Sequence, residues 1–188
     1  NGLPDYPDIL TPEARLRCFY RANESVVDVS AANGVTIENI SGDLTNPTDC
    51  GRLFDGTDGA LLLHTAGVIH PARVKDFFTN NVDATLNLLD AASRRGCRRA
   101  VIVSSNSPIG CNPTPEHRFT EDSPYNPYQG YGRSKQEMEL RARERAEKLD
   151  MELVIIRPPW FYGPFQPPRQ TLFFQMIKTG SVPLLGDG

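Results

Sequence analysis

Hydrophobic residues cluster along the chain in short runs, at 16–20, 35–40, 60–64, 100–104 and 153–157. Each run is strand-sized and none alternates with polar residues, the pattern of strands covered by helices on both faces. Between the runs the apolar spacing changes to threes and fours. This predicts helices at 25–33, closed by Gly34, at 47–54, at 75–95, closed by Gly96, and at 130–149. Strands alternating with helices predict an α/β fold built on a doubly wound parallel sheet. The proline-rich stretches 112–127 and 158–168 read as long loops, and loops that follow the strands of an open sheet are where ligands bind. The apolar run 172–177 reads as a packed helix.

A chain of 188 residues with 39% hydrophobic side chains can bury one sizeable core. Twenty basic and 23 acidic side chains give a net charge of -3 with no basic run and no acidic tail. That balance excludes nucleic acid and membrane surfaces as partners and points to a small-molecule substrate. Cys18, Cys50, Cys97 and Cys111 form no CxxC pair, and His64, His70 and His117 complete no zinc spacing, so no metal is expected. The cysteines read as thiols of a cytoplasmic protein. No apolar stretch approaches the ~20 residues of a membrane helix.

Candidate chemistry enters where the fourth predicted strand ends in Ser104 and Ser105, and where Tyr131 and Lys135 open the last long helix. Residues four apart share a helix face. The stripe continues through Met138, Ala142, Ala146 and Leu149, while Glu137/Arg141, Glu139/Arg143 and Glu144/Lys148 are expected to pair around the remaining surface. Lys135 is therefore predicted to face inward, where an ammonium loses hydration and needs polar company. A tyrosine with an ordinary pKa near ~10 exchanges protons poorly at neutral pH, and lowering it by ~3 units takes on the order of 4 kcal/mol of phenolate stabilisation. A nearby ammonium can supply much of that. In this scheme Tyr131 exchanges an alcohol proton, Lys135 lowers its pKa, and the hydroxyl of Ser105 or Ser104 holds the substrate oxygen.

A YxxxK pair is common in soluble helices, and its weight comes from the segments around it. Gly42-Asp43-Leu44 follows the second run, and His64-Thr65-Ala66-Gly67 ends the third. Asn81-Val82 is followed by Thr85-Leu86-Asn87-Leu88-Leu89, and Arg157-Pro158 leads to Tyr162-Gly163-Pro164. In this order, over residues 15–188, they resemble the GDL, H-x-A-[AG], NVxGTxNLL and RPxxxYGP motifs of the extended short-chain dehydrogenase/reductase family, with Ala84 where glycine is usual. That family includes NAD-dependent epimerases and dehydratases and 3β-hydroxysteroid dehydrogenase-like enzymes. The resemblance implies a Rossmann-like fold, bound NAD or NADP, and hydride transfer at a secondary alcohol or keto group of a nucleotide sugar or similar bulky substrate. It implies that Asp43 and Leu44 approach the adenine and that His64, Ala66 and Gly67 lie along the cofactor. It also places Asn81, Ser104, Tyr131, Lys135 and Pro158 against the cofactor. Counting five back from Gly110 selects Ser105 as the catalytic hydroxyl. An acidic residue closing the second strand would bind the ribose of NAD, whereas Arg21 stands in that place and tips the expectation toward NADP. Read without the family, Asp43 serves as a turn residue, His64 as a satisfied structural histidine with no proton-transfer role, and Asn81 as a structural amide.

The family's Gly-rich loop, whose backbone N–H groups cradle the pyrophosphate, does not occur in the sequence. If 16–20 is the second strand, the resemblance implies a preceding strand, loop and helix of about 25–30 residues, whereas fifteen residues precede it and three of them are prolines. The expectation is an incomplete dinucleotide-binding domain at 15–157 and the start of a substrate-binding region at 158–188. The alternative is a divergent, non-catalytic relative that binds or regulates. Asn106 and Ser107 place no carboxylate beside the serine, which ranks dehydration behind epimerisation and dehydrogenation. Helices 75–95 and 130–149 resemble those that pair across a two-fold axis, implying a homodimer.

Overall fold

The computed structural model describes residues 15–22, 36–163, 166 and 168–182; the predicted helix 25–33 lies outside them. Among the described residues five strands are formed: β1 Arg15–Tyr20, β2 Thr36–Ser41, β3 Leu62–His64, β4 Arg99–Val103 and β5 Glu152–Ile156. All pair in parallel, as the βα alternation predicts, but in two sheets, β1-β2 and β3-β4-β5. Among the described residues no strand pairing joins the two sheets.

Helix α1, Pro47–Leu53, starts on Asn46, whose side chain accepts from Thr48 N at 2.9 Å and is followed by a proline at the first helical position. The single helix expected at 75–95 is instead three pieces. These are α2 Val74–Phe78, a π-helical turn at Thr79–Asp83, and α3 Ala84–Arg94. The wide turn inserts a residue into the helical repeat and directs Asn81 and Val82, each 1% exposed, into the interior. Helix α3 closes through Gly96 at φ 73°, with Gly96 N bonded to Ser93 O at 2.9 Å and Cys97 N to Ala92 O at 3.1 Å, the left-handed cap for which glycine is suited. Helix α4, Gln129–Lys148, closes by the same pair of bonds, but with Asp150 in the left-handed position at φ 50°.

The core lies on one face of β3-β4-β5. Leu62, Ala100 and Ile102 meet Leu89 of α3 and Met138, Ala142 and Ala146 of α4, with Cys50 and Leu53 of α1 in the same cluster. Full burial of a side chain such as Leu89 or Ile102 stabilises by roughly 1.5–3 kcal/mol. The apolar stripe predicted for α4 thus faces inward. The continuous apolar strands do not have two covered faces among the described residues: Leu63, Val154 and Ile156 are exposed. The chain divides into two compact units between Arg157 and Pro158. In the second unit, α5 Pro168–Thr179 carries Phe173 and Phe174, whose rings meet Trp160 at 5.8 Å and Tyr162 at 5.1 Å. Leu172 and Ile177 are exposed there rather than packed.

No described helix is long and apolar enough to cross a membrane. No group of His, Cys, Asp and Glu among the described residues could hold a metal.

Candidate active site

The C-terminal ends of the strands and the loops after them form a cleft. Arg21 follows β1, Asp43 and Leu44 follow β2, and Thr65, Ala66 and Gly67 follow β3; all six line it. Five of the predicted site residues, Arg21, Asp43, Leu44, Ala66 and Gly67, are thereby brought together from three separate segments. Asn80, which the motifs did not single out, lines the same cleft and accepts a hydrogen bond from Arg21 Nη2. Asp43 also performs the turn role open to it, since its Oδ1 accepts from Thr45 N at 2.8 Å while its own N–H donates to Asp49 Oδ2 at 2.9 Å. The hydrogen bond from the Asp43 backbone holds the Asp49 carboxyl below the usual range, aided by Arg52.

Asn81 ties the cleft to α4. Its Oδ1 accepts from Val68 N at 2.8 Å, and its Nδ2 donates to Val68 O at 3.1 Å and to Ser134 Oγ at 3.0 Å. A Cβ on Gly67 would stand 3.2 Å from Asn81 Oδ1 and 3.3 Å from Lys135 Nζ, so the bare glycine lets the turn lie against both. His64 is buried, with Nε2 2.9 Å from Thr85 Oγ1. Thr85 spends its proton on Asn81 O at 2.8 Å, so Nε2 is the donor toward it. Burial, with help from the Lys135 charge, pulls the histidine down to about 4 and keeps it neutral. This is the satisfied structural histidine of the residue-level reading.

Tyr131 and Lys135 lie one turn apart on α4. Lys135 faces inward, 5% exposed, and donates to Val103 O at 3.1 Å. Burial draws it down to about 8, and Glu139 works against that. Burial pushes the Tyr131 phenol up, and a hydrogen bond with the Ser105 hydroxyl opposes the rise. The group that lowers the phenol here is therefore Ser105; the Lys135 ammonium, expected to do so, is directed to the Val103 carbonyl.

Ser105 is held in place by the turn that follows it, with Ser107 N donating to its Oγ at 3.1 Å and Ser107 Oγ 3.0 Å away. That turn can approach α4 because Gly132 has no side chain: a Cβ there would be 2.8 Å from Ser107 O. Phe77 of α2 flanks Tyr131 with ring centroids 6.2 Å apart. The two adjacent serines have different partners. Ser104 Oγ donates to Glu139 Oε1 at 2.6 Å, whereas Ser105 faces Tyr131.

Glu139 corrects a second expectation. Rather than pairing with Arg143 on the surface, it is fully buried and binds Arg157 Nη2 at 2.7 Å. Tyr125 OH joins them, donating to Glu139 Oε2 at 2.8 Å. The signal was present in the sequence, since Glu139 is four residues after Lys135 and so continues the Tyr131-Lys135 row. Arg141 likewise reaches Asp83 at 3.7 Å, while Glu144 and Lys148 pair as expected at 2.6 Å. Pro158 opens the second unit.

Residues 12–188 match the model of the NAD dependent epimerase/dehydratase family. The uncharacterized protein y4nL of Sinorhizobium fredii is 47% identical over 188 residues, all of this chain and 52% of that protein. The dTDP-glucose 4,6-dehydratase of Streptomyces griseus is 35% identical over 145 residues, 73% of this chain and 43% of that enzyme. Among solved structures, DesIV, a dTDP-glucose 4,6-dehydratase from Streptomyces venezuelae with NAD and TYD bound, superposes with a TM-score of 0.77 at 26% identity. That match covers 97% of this chain and 58% of that one. The chain thus spans about half the length of these relatives.

Proposed function

We propose, from the premise that the chain belongs to the NAD dependent epimerase/dehydratase family, that it moves a hydride at a secondary alcohol or keto carbon of a nucleotide sugar or similarly bulky substrate. The observation that carries the reading is the meeting of Ser105 with Tyr131 beside a buried lysine. A costly buried ammonium next to a phenol and a second hydroxyl is an arrangement suited to moving a proton on and off an alcohol oxygen.

The cleft fits a dinucleotide on its nucleoside side, because Arg21, Asp43, Leu44, Ala66 and Gly67 converge there and the Gly67 backbone is bare. Arg21 and Asp43 would hold the ribose and adenine, and the turn at Ala66 and Gly67 would lie along the cofactor. When bound, the nicotinamide supplies the acceptor or donor of the hydride. Tyr131 exchanges the proton of the substrate oxygen, the Ser105 hydroxyl holds that oxygen, and Lys135 supplies positive charge one turn along the same face. Ser104 and Asn81 set the walls of the site through Glu139 and Val68 rather than by proton transfer. His64 lacks a part in proton transfer because it stays neutral and bonded to Thr85.

Arg21, held over the cleft by Asn80, supports NADP over NAD. With Asn106 and Ser107 beside Ser105, epimerisation and simple oxidation are preferred to dehydration, which uses an acid and base at that place. The reading includes action in the cytoplasm and a homodimer formed through α2-α3 and α4; elution as a monomer at micromolar concentration would remove the dimer. The second reading is a non-catalytic binding relative. Product analysis with a panel of nucleotide sugars tests the proposal. Epimerisation regenerates the cofactor and dehydrogenation consumes it stoichiometrically; absence of both, with cofactor bound, would leave only the binding role.

A further inference from the structure

Glu139 is fully buried at the junction of the elements that carry the site. Its Oε1 accepts from Ser104 Oγ at 2.6 Å, and its Oε2 accepts from Tyr125 OH at 2.8 Å and from Arg157 Nη2 at 2.7 Å. Arg157 Nε reaches both carboxylate oxygens, at 3.0 and 3.1 Å. These partners stand just after β4, in the loop ahead of α4, and just after β5. One turn back on α4, Lys135 donates to Val103 O at 3.1 Å, and Ser104 N donates to Ile156 O at 2.7 Å. Two successive turns of α4 therefore grip two successive residues at the end of β4, and Arg157 ties the end of β5 to the same carboxylate. A buried ion pair of this kind is weak evidence for stability, because apolar residues of similar volume often pack as well. Its worth lies in fixing one arrangement among the ends of three elements.

We propose that Glu139 is a positioning residue of the Ser105-Tyr131-Lys135 set: its carboxylate locks the ends of β4 and β5 to α4, fixes Ser105 beside Tyr131, occupies Ser104, and holds a negative charge one turn from the Lys135 ammonium. The proposal rests on the reading that these three residues act together. The titratable and charged groups around Lys135 are Tyr131 and Glu139 on its own helix, His64 at the end of β3, and Arg157 after β5. Burial draws Lys135 down, and Glu139 works upward. Arg157, a cation paired to the same carboxylate, is expected to offset part of that support. Removing Glu139 and removing Arg157 therefore push Lys135 in opposite directions, although both break one ion pair and both weaken the fold. A purely structural role for the pair would give no such opposition.

The test is a pH titration of Lys135 by NMR of lysine labelled at Cε, in the full chain and in the Glu139→Gln, Glu139→Asp and Arg157→Met variants. Glu139→Gln is expected to lower the midpoint by about one pH unit, Arg157→Met to raise it, and Glu139→Asp to fall between wild type and Glu139→Gln. If Glu139→Gln does not fold, the other two variants carry the comparison. An unmoved midpoint in Arg157→Met, or shifts of one sign in every folded variant, overturns the proposal. The titration requires no cofactor, so opposed shifts in a protein that binds no dinucleotide would sink the hydride reading and leave the clamp. Turnover with unmoved midpoints would do the reverse.

Discussion

Ser104 is joined to Glu139 by a hydrogen bond of 2.6 Å in which the serine donates, and that bond gives two adjacent serines different tasks. Ser105 is free to meet Tyr131, while Ser104 is committed to the buried carboxylate. Ser105→Ala is expected to lower kcat by about 10²-fold or more, the usual cost of losing a donor at the reacting oxygen, with little change in stability. Ser104→Ala is expected to cost about 1 kcal/mol in urea unfolding and to leave kcat within a few-fold. Equal losses of turnover would contradict the division.

Lys135 is held at about 8 against an ordinary 10.5. In the folded state it gives up its proton earlier than in the unfolded chain. Between those values the unfolded chain binds more protons, and the stability contributed by this residue rises with pH. Below pH 8 the full penalty of the buried charge is present. Lys135→Met is accordingly expected to be more stable than wild type by about 1–3 kcal/mol at pH 7. The difference should shrink as pH rises through 8 toward 10.5, and turnover should fall by about 10²-fold or more. Denaturant unfolding of both proteins at several pH values checks the sign.

His64 has the other pH window. Its folded value, about 4, lies below the ordinary 6.5. Its neutral, buried form thus contributes stability that is present above pH 6.5 and lost as pH falls toward 4, by up to about 3 kcal/mol. His64→Gln should lack most of that acid-induced loss. A wild-type unfolding midpoint that does not change between pH 7 and pH 4.5 would count against the assignment.

Much of the sheet was legible because a buried parallel strand is an unbroken apolar run, and the runs ending in His64 and Val103 are that plain. The π-helical turn was not. Its surroundings keep a helical spacing from Lys75 to Arg95, and the widening depends on bonds from Asn81 to Val68 and Ser134, residues distant in sequence. Glu139 was misread because a glutamate four residues before an arginine is ordinarily a surface pair; its true partner, Arg157, is brought near by folding. Tyr131 and Lys135 were legible from one helix face. Ser105 and Ser104 differ only in partners, which the sequence does not state.

Asp150 occupies a left-handed position, φ 50°, at the close of α4, where a side chain is strained and glycine is not. Asp150→Gly forfeits an exposed pair with Arg98 at 3.6 Å, worth little. It is expected to raise stability by about 0.5–1 kcal/mol, measurable by thermal or urea unfolding with turnover unchanged.

Arg21 reports on cofactor choice. Arg21→Ala is expected to weaken NADPH by about tenfold or more, in keeping with a lost charge-assisted bond of about 1.5–3 kcal/mol, while leaving NADH nearly unaffected. Parallel losses for both would remove the phosphate role.

The central claim is that this site works on a nicotinamide cofactor, and titration of NADH and NADPH into the protein that carries this chain, followed by reduced-nicotinamide fluorescence, tests it most directly. Saturable binding of at least one, tighter for NADPH, is the predicted result. Binding of neither would contradict the account.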